Sequence, residues 1–369
     1  MNVLFLSWRD SHHPEGGGSE AYVEHIAEYL HRLGHTVTIR TARPAGSAAR
    51  STREGVAYVR GGGRHSVYPR ALAWLLWRQL RRRGPDVIVD VHNGIPFFAR
   101  LVTRTPVVVL SHHCHREQWP VAGAVLGRVG WFLESRLSPL VHRRTPWVTV
   151  SAPSREELVG LGVPAQNISI IRNGCDPVPA PLVELPRTRP HHVVCVARLV
   201  PHKQLEHAID VAAACERTRP GQVALDVVGS GWWEDSLRAH IQARGVGHVV
   251  RLHGHVSEEG KHALLARASV HLMPSAKEGW GLTVMEAAQH RVPTVGYRAA
   301  RGLQDSIDDG STGLLVDTYE ELLTATLRLL DDPVLRGRLG AAAQAKAQQL
   351  SWAAAGADFA QLLEAVARR

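Results

Sequence analysis

Apolar residues along this chain follow two alternating spacings. Short, continuously apolar runs are separated by longer segments in which apolar residues recur every three or four positions. Continuous apolar runs are typical of parallel strands buried on both faces. In the first half of the chain the pattern predicts strands at 2–7, 36–40, 57–60, 86–91, 106–111, 147–151 and 168–171, and helices at 19–33, 69–83, 124–143 and 154–161. Ser154 and Glu157 have the spacing of a capping box, which predicts that the last of these helices begins at Ser154.

A proline-rich segment interrupts the alternation. Residues 176–190 contain five prolines, which suit neither a helix nor a central strand, so this segment is predicted to be a stiff linker. The alternation then resumes and ends in helices from about 320 to 369. Before that end, strands are predicted at 192–197, 224–228, 249–253, 270–273, 294–296 and 313–316, and helices at 205–217, 233–244, 258–267 and 282–290.

Two such series joined by one linker predict an α/β protein with two Rossmann-like, doubly wound domains that face each other across a cleft. The length of 369 residues also favours two domains over one. The linker places the first domain at 1–178 and the second at 179–350. Ligands of such sheets bind beyond the carboxyl ends of the strands, so functional residues are expected in the loops that follow strands.

The composition is that of a globular protein from a reducing compartment. Hydrophobic residues make up 44% of the chain and charged residues 21%. Scattered cysteines without a Cys-x-x-Cys pair argue against a disulfide framework or a structural zinc site; they are Cys114, Cys175, Cys195 and Cys215. The segment 1–6 lacks a basic leader and is interpreted as a strand, and no apolar run reaches the about 18 residues of a membrane span. We therefore expect a cytoplasmic protein.

The chain carries a net charge of +9, which suits nucleic acids, anionic membranes or phosphorylated substrates as partners. No nucleic-acid-binding module accompanies this charge, so a nucleic-acid partner is not expected. The segment 68–83 is amphipathic, contains tryptophan and ends in three arginines, so it can lie on the inner face of an anionic membrane. The alternative is a helix packed on the core, whose basic last turn suits the helix dipole.

Two carboxylates stand out in the second half of the chain. Glu278 and Glu286 are separated by seven residues, with Gly-Trp-Gly directly after the first and a predicted strand before it. This pattern predicts a strand, a tight turn that carries Glu278, and a helix that begins near Gly281 and contains Glu286. Backbone N–H groups at a helix start attract phosphate, and a carboxylate in the turn can bind sugar hydroxyls. A solvated pair of surface glutamates is the alternative.

This segment resembles the retaining, nucleotide-sugar-dependent glycosyltransferases of family 4, whose signature is Glu, seven residues, Glu. The resemblance covers essentially the full chain. It implies the glycosyltransferase B-type (GT-B) fold, with an acceptor-side first domain, a nucleotide-sugar-binding second domain and a last helix, 351–369, that packs back on the first. It also implies that Glu278 binds the donor sugar, that Glu286 binds the ribose, and that the donor is contacted by Gly279, Trp280, Gly281 and Leu282.

A glycine loop at 12–20 follows the first strand and opens the first helix. Glycines let the backbone approach a ligand closely. The spacing is not Gly-x-Gly-x-x-Gly and no acidic residue ends the second strand, which argues against a dinucleotide site. The resemblance implies that the loop lies near the donor diphosphate and the acceptor, with donor contacts from Gly16, Gly17 and Gly18. A flexible turn is the alternative.

Two basic residues, Arg198 and Lys203, follow the first strand of the second domain. An arginine and a lysine at this edge can neutralise a diphosphate leaving group, and the resemblance implies that they grip the donor pyrophosphate. A solvated basic loop is the alternative. The resemblance further implies a turn and hinge at 173–176, and donor contacts from Gly229, His255 and Val256.

A histidine cluster follows the predicted strand at 106–111: His112, His113 and His115, with Cys114 between them. A metal site is one interpretation. However, neighbours on an extended chain point to opposite faces, which would separate His112 from His113. The chain also lacks an Asp-x-Asp motif, so neither a metal nor another cofactor is expected. The resemblance implies that His112, or else His113, orients the donor sugar; a packing histidine is the alternative.

Together, these features predict that the protein is an enzyme. It would transfer a hexosyl unit with retention from a nucleoside diphosphate sugar, UDP favoured over GDP, to a hydroxyl of a small-molecule, lipid-linked or glycan acceptor. Catalysis would rest on Glu278, His112, Arg198 and Lys203. The alternatives are a glycosidase that uses both glutamates, a nucleotide-sugar epimerase, a glycogen-type phosphorylase, for which no pyridoxal lysine suggests itself, and a non-catalytic membrane- or polymer-binding protein of the same fold.

Overall fold

The computed structural model describes residues 1–13, 16–116, 118–119, 123–180 and 190–368. Backbone proximity divides the chain into two compact units. We call Met1–Gly174 with Ser351–Arg369 the N-terminal unit, and Cys175–Leu350 the C-terminal unit. Most of the predicted proline-rich linker, at 181–189, lies outside the described residues.

The N-terminal unit is built on an eight-stranded sheet in the order β3-β4-β2-β1-β5-β6-β7-β8. All its pairings are parallel except that of β3 with β4. The strands are β1 Asn2–Leu6, β2 Thr36–Thr41, β3 Arg50–Arg53, β4 Val56–Arg60, β5 Val87–Val91, β6 Val107–Leu110, β7 Trp147–Thr149 and β8 Ile168–Ile170. The helices are α1 Gly18–Arg32, α2 Val67–Leu80, α3 Ala124–Phe132, α4 Ser138–Val141, α5 Ala152–Gly160 and, from the end of the chain, α13 Trp352–Ala367.

The C-terminal unit has a fully parallel sheet of six strands in the order β11-β10-β9-β12-β13-β14. Its strands are β9 His191–Val196, β10 Val223–Val228, β11 Val250–Leu252, β12 Ala268–Met273, β13 Thr294–Tyr297 and β14 Gly313–Val316. Its helices are α6 Leu205–Thr218, α7 Glu234–Arg244, α8 Glu258–Arg267, α9 Leu282–Gln289, α10 Leu303–Ser306, α11 Tyr319–Asp331 and α12 Pro333–Gln348. Both sheets are doubly wound, as the apolar runs predict.

The short edge strand β3 was not predicted. It pairs antiparallel with β4 through a tight turn at Glu54 and Gly55, both of which have positive φ. Its sequence, Arg-Ser-Thr-Arg, has no apolar residue, so hydrophobic spacing could not reveal it. A polar edge strand of this kind discourages pairing with other chains.

Two predictions about helices were wrong. The helix predicted at 124–143 is interrupted by a π-helix at Leu133–Leu137. The helix predicted to begin at Ser154 begins at Ala152, because Ser151 is the N-cap and its side chain accepts the Ser154 N–H at 3.2 Å. A proline is tolerated in the first turn that follows this cap. The Ser154 hydroxyl donates instead to the carbonyl of His112 at 2.9 Å.

The last helix, α13, belongs to the N-terminal unit and packs on α1. The indole of Trp352 stacks on His25 with 4.2 Å between ring centroids. Gly356 faces Tyr29 so closely that an added Cβ would lie 2.3 Å from the Tyr29 Cγ atom. Among the described residues, none of the helices combines the length and hydrophobicity that crossing a lipid bilayer needs.

We expect Gly356→Ala to destabilise the protein by about 1–3 kcal/mol, because the new methyl group would overlap the Tyr29 ring. Gly337→Ala is the matched control, since Gly337 is exposed in α12 and an added Cβ would meet nothing within 4 Å. The control should be neutral or up to about 1 kcal/mol more stable. Urea unfolding of both variants gives the comparison. Equal stability of the two would contradict the packing of α13 on α1.

Candidate functional site

An ion pair joins two of the predicted site residues at the carboxyl edge of the C-terminal sheet. Lys203 Nζ lies 2.5 Å from Glu278 Oε1, and the Glu278 side chain is only 10% exposed. Lys203 ends a 3₁₀ turn, Pro201–Lys203, that follows β9, whereas Glu278 follows β12. Because β9 and β12 are neighbours in the sheet, the loops after them meet. The parallel topology therefore brings together residues that are 75 positions apart.

The surroundings of Glu278 favour its charged form. Burial alone would raise the pKa of Glu278, but the charge and hydrogen bond of Lys203, with smaller contributions from Ser275 and His202, lower the pKa below its ordinary value. Nearby, His271 on β12 is fully buried, and its Nδ1 lies 3.0 Å from Thr294 Oγ1. Burial lowers the pKa of His271 to about 4, so this imidazole is neutral at physiological pH. Glu278, whose pKa is lowered, is a carboxylate at the same pH.

The segment from Gly279 to Leu282 forms the start of α9. Gly281 is the N-cap with φ +90°, a conformation that glycine adopts readily, and Trp280 is buried beside it. Within the described residues no side chain caps this helix. The Val284 N–H donates to the Gly281 carbonyl at 3.1 Å, so the first-turn amides that remain for an anion are those of Leu282 and Thr283. Gly302 keeps the neighbouring backbone close, since an added Cβ there would lie 2.4 Å from the Glu278 carbonyl oxygen.

Glu286 lies in α9, as predicted, and pairs with a lysine that sequence reasoning missed. Its Oε1 accepts from Lys261 Nζ at 2.9 Å, and the same lysine bonds Glu258 Oε2 at 2.7 Å. The other oxygen, Oε2, is buried without a hydrogen-bond partner among the described residues. Burial raises the pKa of Glu286, although Lys261 opposes the rise. One oxygen is therefore fixed, and the other, although buried, has unused capacity to accept a hydrogen bond. That the chain has only four lysines was the signal that could have drawn attention to Lys261.

The remaining predicted donor-binding residues of this unit follow its other strands. Arg198 lies two residues after β9, and Gly229 follows β10 with φ +128°. An added Cβ on Gly229 would lie 2.0 Å from the Ala197 carbonyl oxygen, so only glycine lets these two strand ends approach. Between β11 and α8, His255 is exposed and Val256 is partly buried. Apart from Glu286, which lies within α9, the predicted donor-binding residues of the second domain therefore lie in segments that follow strands of one sheet.

The glycine loop of the N-terminal unit uses two of its amides internally. Gly16 N–H donates to the His13 carbonyl at 2.7 Å, and Gly17 N–H donates to Glu20 Oε2 at 2.8 Å. The first-turn amides of Gly18 and Ser19 are those that a ligand would use. Two residues of the predicted loop, at positions 14 and 15, lie outside the described residues.

Sequence reasoning did not assign Glu20 a role. It is buried and pairs with Arg9 at 2.9 Å, and it accepts from Asn93 Nδ2 at 3.2 Å. This carboxylate ties the glycine loop to the segments that follow β1 and β5. The Arg9–Glu20 ion pair thus anchors the glycine loop, and the glycines in the sequence did not indicate this pair.

The predicted sugar-orienting residue, His112, is buried beneath Tyr22, with 5.2 Å between the ring centroids. Neither ring nitrogen has a hydrogen-bond partner among the described residues. Burial lowers the pKa of His112 to about 4, so the ring is neutral. Buried polar atoms are ordinarily satisfied, and these two nitrogens therefore have capacity for a ligand or for water.

On an extended chain, His113 and His115 would share one face, and His112 and Cys114 the other. The strand β6 ends at Leu110, before these residues, but in the loop that follows the rings of His113 and His115 do stack, with centroids 4.4 Å apart. The described residues hold no group of three or more His, Cys, Asp or Glu side chains arranged to bind a metal ion. Residue 117, at the end of this motif, lies outside them.

Comparison with known proteins gives two family matches. The family described as "Glycosyltransferase Family 4" matches residues 16–178, and "Glycosyl transferases group 1" matches residues 183–346. A glycogen synthase of Mycobacterium tuberculosis is 26% identical across 100% of this chain and 95% of its own length. A GDP-mannose-dependent mannosyltransferase from the same species is 30% identical over 64% of this chain and 63% of its own.

Solved structures agree on the fold. A sucrose-phosphate synthase from Thermosynechococcus elongatus superposes with a TM-score of 0.83 at 20% identity, over 99% of this chain and 98% of that one. Anabaena Alr3699/HepE, in complex with UDP and glucose, has a TM-score of 0.78 at 20% identity, over 99% and 100% of the two chains. These likenesses and the doubly wound sheets show the GT-B fold, and the two family matches show that the chain belongs to the family 4 type of glycosyltransferases.

Proposed function

We propose that this glycosyltransferase moves a hexosyl unit from a nucleoside diphosphate sugar to an acceptor hydroxyl with retention of the anomeric configuration. The observation that carries the proposal is the Lys203–Glu278 pair, which lies beside the uncapped start of α9 on one sheet edge. A fixed cation, an ionised carboxylate and free helix amides are the groups that an activated sugar needs.

Stabilising the charge of the leaving group is the main electrostatic task of this site. When the bond between the anomeric carbon and the phosphate oxygen breaks, negative charge develops on the diphosphate. Lys203, Arg198 and the first-turn amides of α9 stabilise that charge, so no metal ion enters the mechanism. Glu278 binds sugar hydroxyls and offsets the positive charge of the oxocarbenium-like ring. Glu286 Oε2, which has no hydrogen-bond partner among the described residues, accepts from the ribose hydroxyls.

Retention follows from which oxygen takes the proton. The acceptor oxygen bonds to the anomeric carbon on the face that the phosphate leaves, and the acceptor proton passes to the departing phosphate oxygen. No separate base is needed for this step. The neutral ring of His112 supplies a hydrogen-bonding nitrogen for the sugar.

We place UDP-sugars first and GDP-sugars second as donors. One similar structure holds UDP and glucose, and one similar enzyme is GDP-mannose-dependent, so both belong in the test. Acceptors of three kinds remain in the proposal: small molecules, lipid-linked molecules and glycans.

Membrane contact is a second part of the proposal. Helix α2 exposes Trp77 by 49% and Leu80 by 85%, and three exposed arginines, 81–83, follow directly. Its opposite face, with Ala71 and Leu75, is buried in the core. Apolar side chains beside a cationic cluster complement an anionic lipid surface. We infer that α2 holds the protein against such a surface at the inner face of the membrane.

We expect Lys203→Met to weaken donor binding at least about tenfold, because it removes a charge from the diphosphate site and leaves Glu278 without its partner. Lys346→Met, which removes a lysine paired with Asp308 in the same unit, is the control and should bind donor normally. Calorimetric titration with UDP-, GDP- and ADP-sugars measures both. Unchanged affinity in the Lys203 variant would refute its role.

Glu278→Gln should reduce transfer at least about a hundredfold while the fold persists, since the amide keeps the shape but not the charge. Because the pKa of Glu278 is lowered on folding, its contribution to stability is present above the unfolded-state value of about 4.3 and is lost as pH falls below it. The difference in unfolding free energy between wild type and variant should therefore shrink from pH 7 to pH 3. Full activity of the variant, or hydrolysis of nitrophenyl glycosides by the wild type, would point to another chemistry.

Replacing Trp77 and Leu80 by serine should abolish co-sedimentation with phosphatidylglycerol vesicles and leave donor binding intact. Val334→Ser changes an apolar residue of the C-terminal unit whose exposure, 80%, is close to the 85% of Leu80, and it should have no effect. Vesicles of phosphatidylcholine alone should bind the wild type weakly, since the arginines then lack anionic partners. Equal sedimentation of the double variant and the wild type would overturn the membrane assignment.

A further inference from the structure

A histidine–glutamate pair lies in the N-terminal unit, apart from the residues assigned above. His115 Nδ1 is 3.1 Å from Glu134 Oε1, and the His115 backbone N–H donates to the same oxygen at 2.9 Å. The Glu134 side chain is completely buried, whereas that of His115 is 16% exposed. The pair thus has an inaccessible carboxylate and an imidazole that solvent can reach.

The position of Glu134 depends on the π-helix that contains it. A π-helix inserts an extra residue into a helical turn and changes which side chains point inward, and such turns occur frequently at functional sites. The second oxygen of Glu134, Oε2, accepts from Trp119 Nε1 at 2.5 Å. With His115 on one oxygen and Trp119 on the other, the carboxylate is fixed in one orientation.

Two glycines make room for this arrangement. An added Cβ on Gly130, in α3, would lie 2.1 Å from the Trp119 ring. An added Cβ on Gly94, which follows β5 with φ +86°, would lie 3.1 Å from the same ring. The Trp119 ring is therefore wedged between α3 and the loop after β5. The loop that carries His115 is anchored on both sides.

A buried carboxylate on Nδ1 fixes the tautomer of an imidazole. Burial raises the pKa of Glu134, but His115, His92 and Trp119 outweigh it and lower the pKa below its ordinary value, so Glu134 is charged. In the tautomer that this contact selects, Nδ1 carries the proton that Glu134 accepts, and Nε2 carries the lone pair. Nε2 has no hydrogen bond to any of the described residues. An oriented, accessible lone pair is suited to accept from a hydroxyl.

The location of the pair supports a ligand-binding role. His115 follows β6, and Gly94 follows the adjacent strand β5, so both lie at the carboxyl edge of the N-terminal sheet. Ligands of doubly wound sheets bind at this edge. His113 stacks on His115 and extends the imidazole surface, and its Nε2 lies 3.2 Å from Gln118 Nε2.

We propose that His115 is an acceptor-binding residue whose Nε2 accepts a hydrogen bond from a hydroxyl of the acceptor, and that Glu134 is its positioning residue. The proposal rests on the proposed glycosyl transfer and adds to it the group that recognises the acceptor. It assigns a hydroxyl group to the acceptor at the point of contact, because Nε2 of an imidazole that is bonded to a carboxylate through Nδ1 offers a hydrogen-bond acceptor.

The test separates this role from a structural one by choice of variant. His115→Asn keeps a side-chain amide near the position of Nδ1, which can still bond Glu134, but it has no counterpart of Nε2. It should fold normally. His115→Gln places an amide oxygen near the position of Nε2 and should retain part of the function. His65→Ala, an exposed histidine of the same unit, is the control.

Each protein is assayed for donor hydrolysis and for transfer. The donor is chosen from UDP-, GDP- and ADP-hexoses. Glycerol, myo-inositol, maltose, octyl glucoside and a cell extract serve as acceptor sources, with product mass spectrometry. We expect His115→Asn to raise the acceptor KM at least about tenfold, with donor KM and donor hydrolysis unchanged. Glu134→Gln should raise the acceptor KM by a smaller factor, and ¹⁵N-histidine spectra should show loss of the fixed Nδ1–H tautomer.

The assays distinguish a failure of the proposed function from a failure of this inference. A wild-type protein that turns over no nucleotide sugar would remove the proposed function and this inference with it. Turnover with normal acceptor KM in His115→Asn would overturn only the inference. The inference would also be overturned by a wild type that hydrolyses its donor but transfers the sugar to no alcohol from any source. Equal increases in the donor KM and the acceptor KM of His115→Asn would overturn it as well.

Discussion

The chemistry of the C-terminal unit depends on a shielded ion pair. Bringing Lys203 and Glu278 out of water costs several kcal/mol per ion, and their attraction offsets this only while the geometry holds. The pair is therefore a constraint on its neighbours: the turn after β9 and the segment after β12 have to stay in register. A ligand that inserts a negative group beside Lys203 shares an already oriented cation, so little reorganisation accompanies binding.

The second requirement at the carboxyl edge of the C-terminal sheet is that neighbouring backbone segments approach each other closely. Gly229 and Gly302 each stand where a Cβ would penetrate a carbonyl oxygen of a neighbouring loop. Such contacts let main-chain amides, rather than long side chains, line the edge of the sheet. Amides at a helix start are rigid and carry partial positive charge without titrating. The combination of few lysines and many glycines suits a surface that binds a diphosphate by fixed dipoles.

Much of the fold follows from hydrophobic spacing alone. Several strands, such as β6 and β10, are continuous or nearly continuous apolar runs, and the elements β14 and α8 were predicted at their observed bounds. The strand β3 was missed because its four residues are polar and its pairing depends on a turn. The start of α5 was misplaced because Ser151 and Ser154 are both capable caps, and only the backbone conformation decides between them.

The site was predictable where a motif carries it and not where tertiary packing creates it. Glu278, Glu286 and Lys203 were found from local patterns after strands. Lys261 was not, because nothing in its own helix shows that it reaches α9. The pairing of His115 with Glu134 was hidden for a related reason. It requires a π-turn, and the hydrophobic period of the segment predicts an unbroken α-helix.

The helix α13 is synthesised long after the other elements of the unit to which it belongs. Phe359 packs against Phe5 and Tyr22, which are synthesised long before it. Residues 175–350 are made in between, so the C-terminal unit can close its core while the earlier half still waits for its final helix. Until α13 has been synthesised, the apolar surface beside β1 that it covers stays exposed. Nascent chains of this protein should thus carry a chaperone-binding surface that disappears when α13 docks.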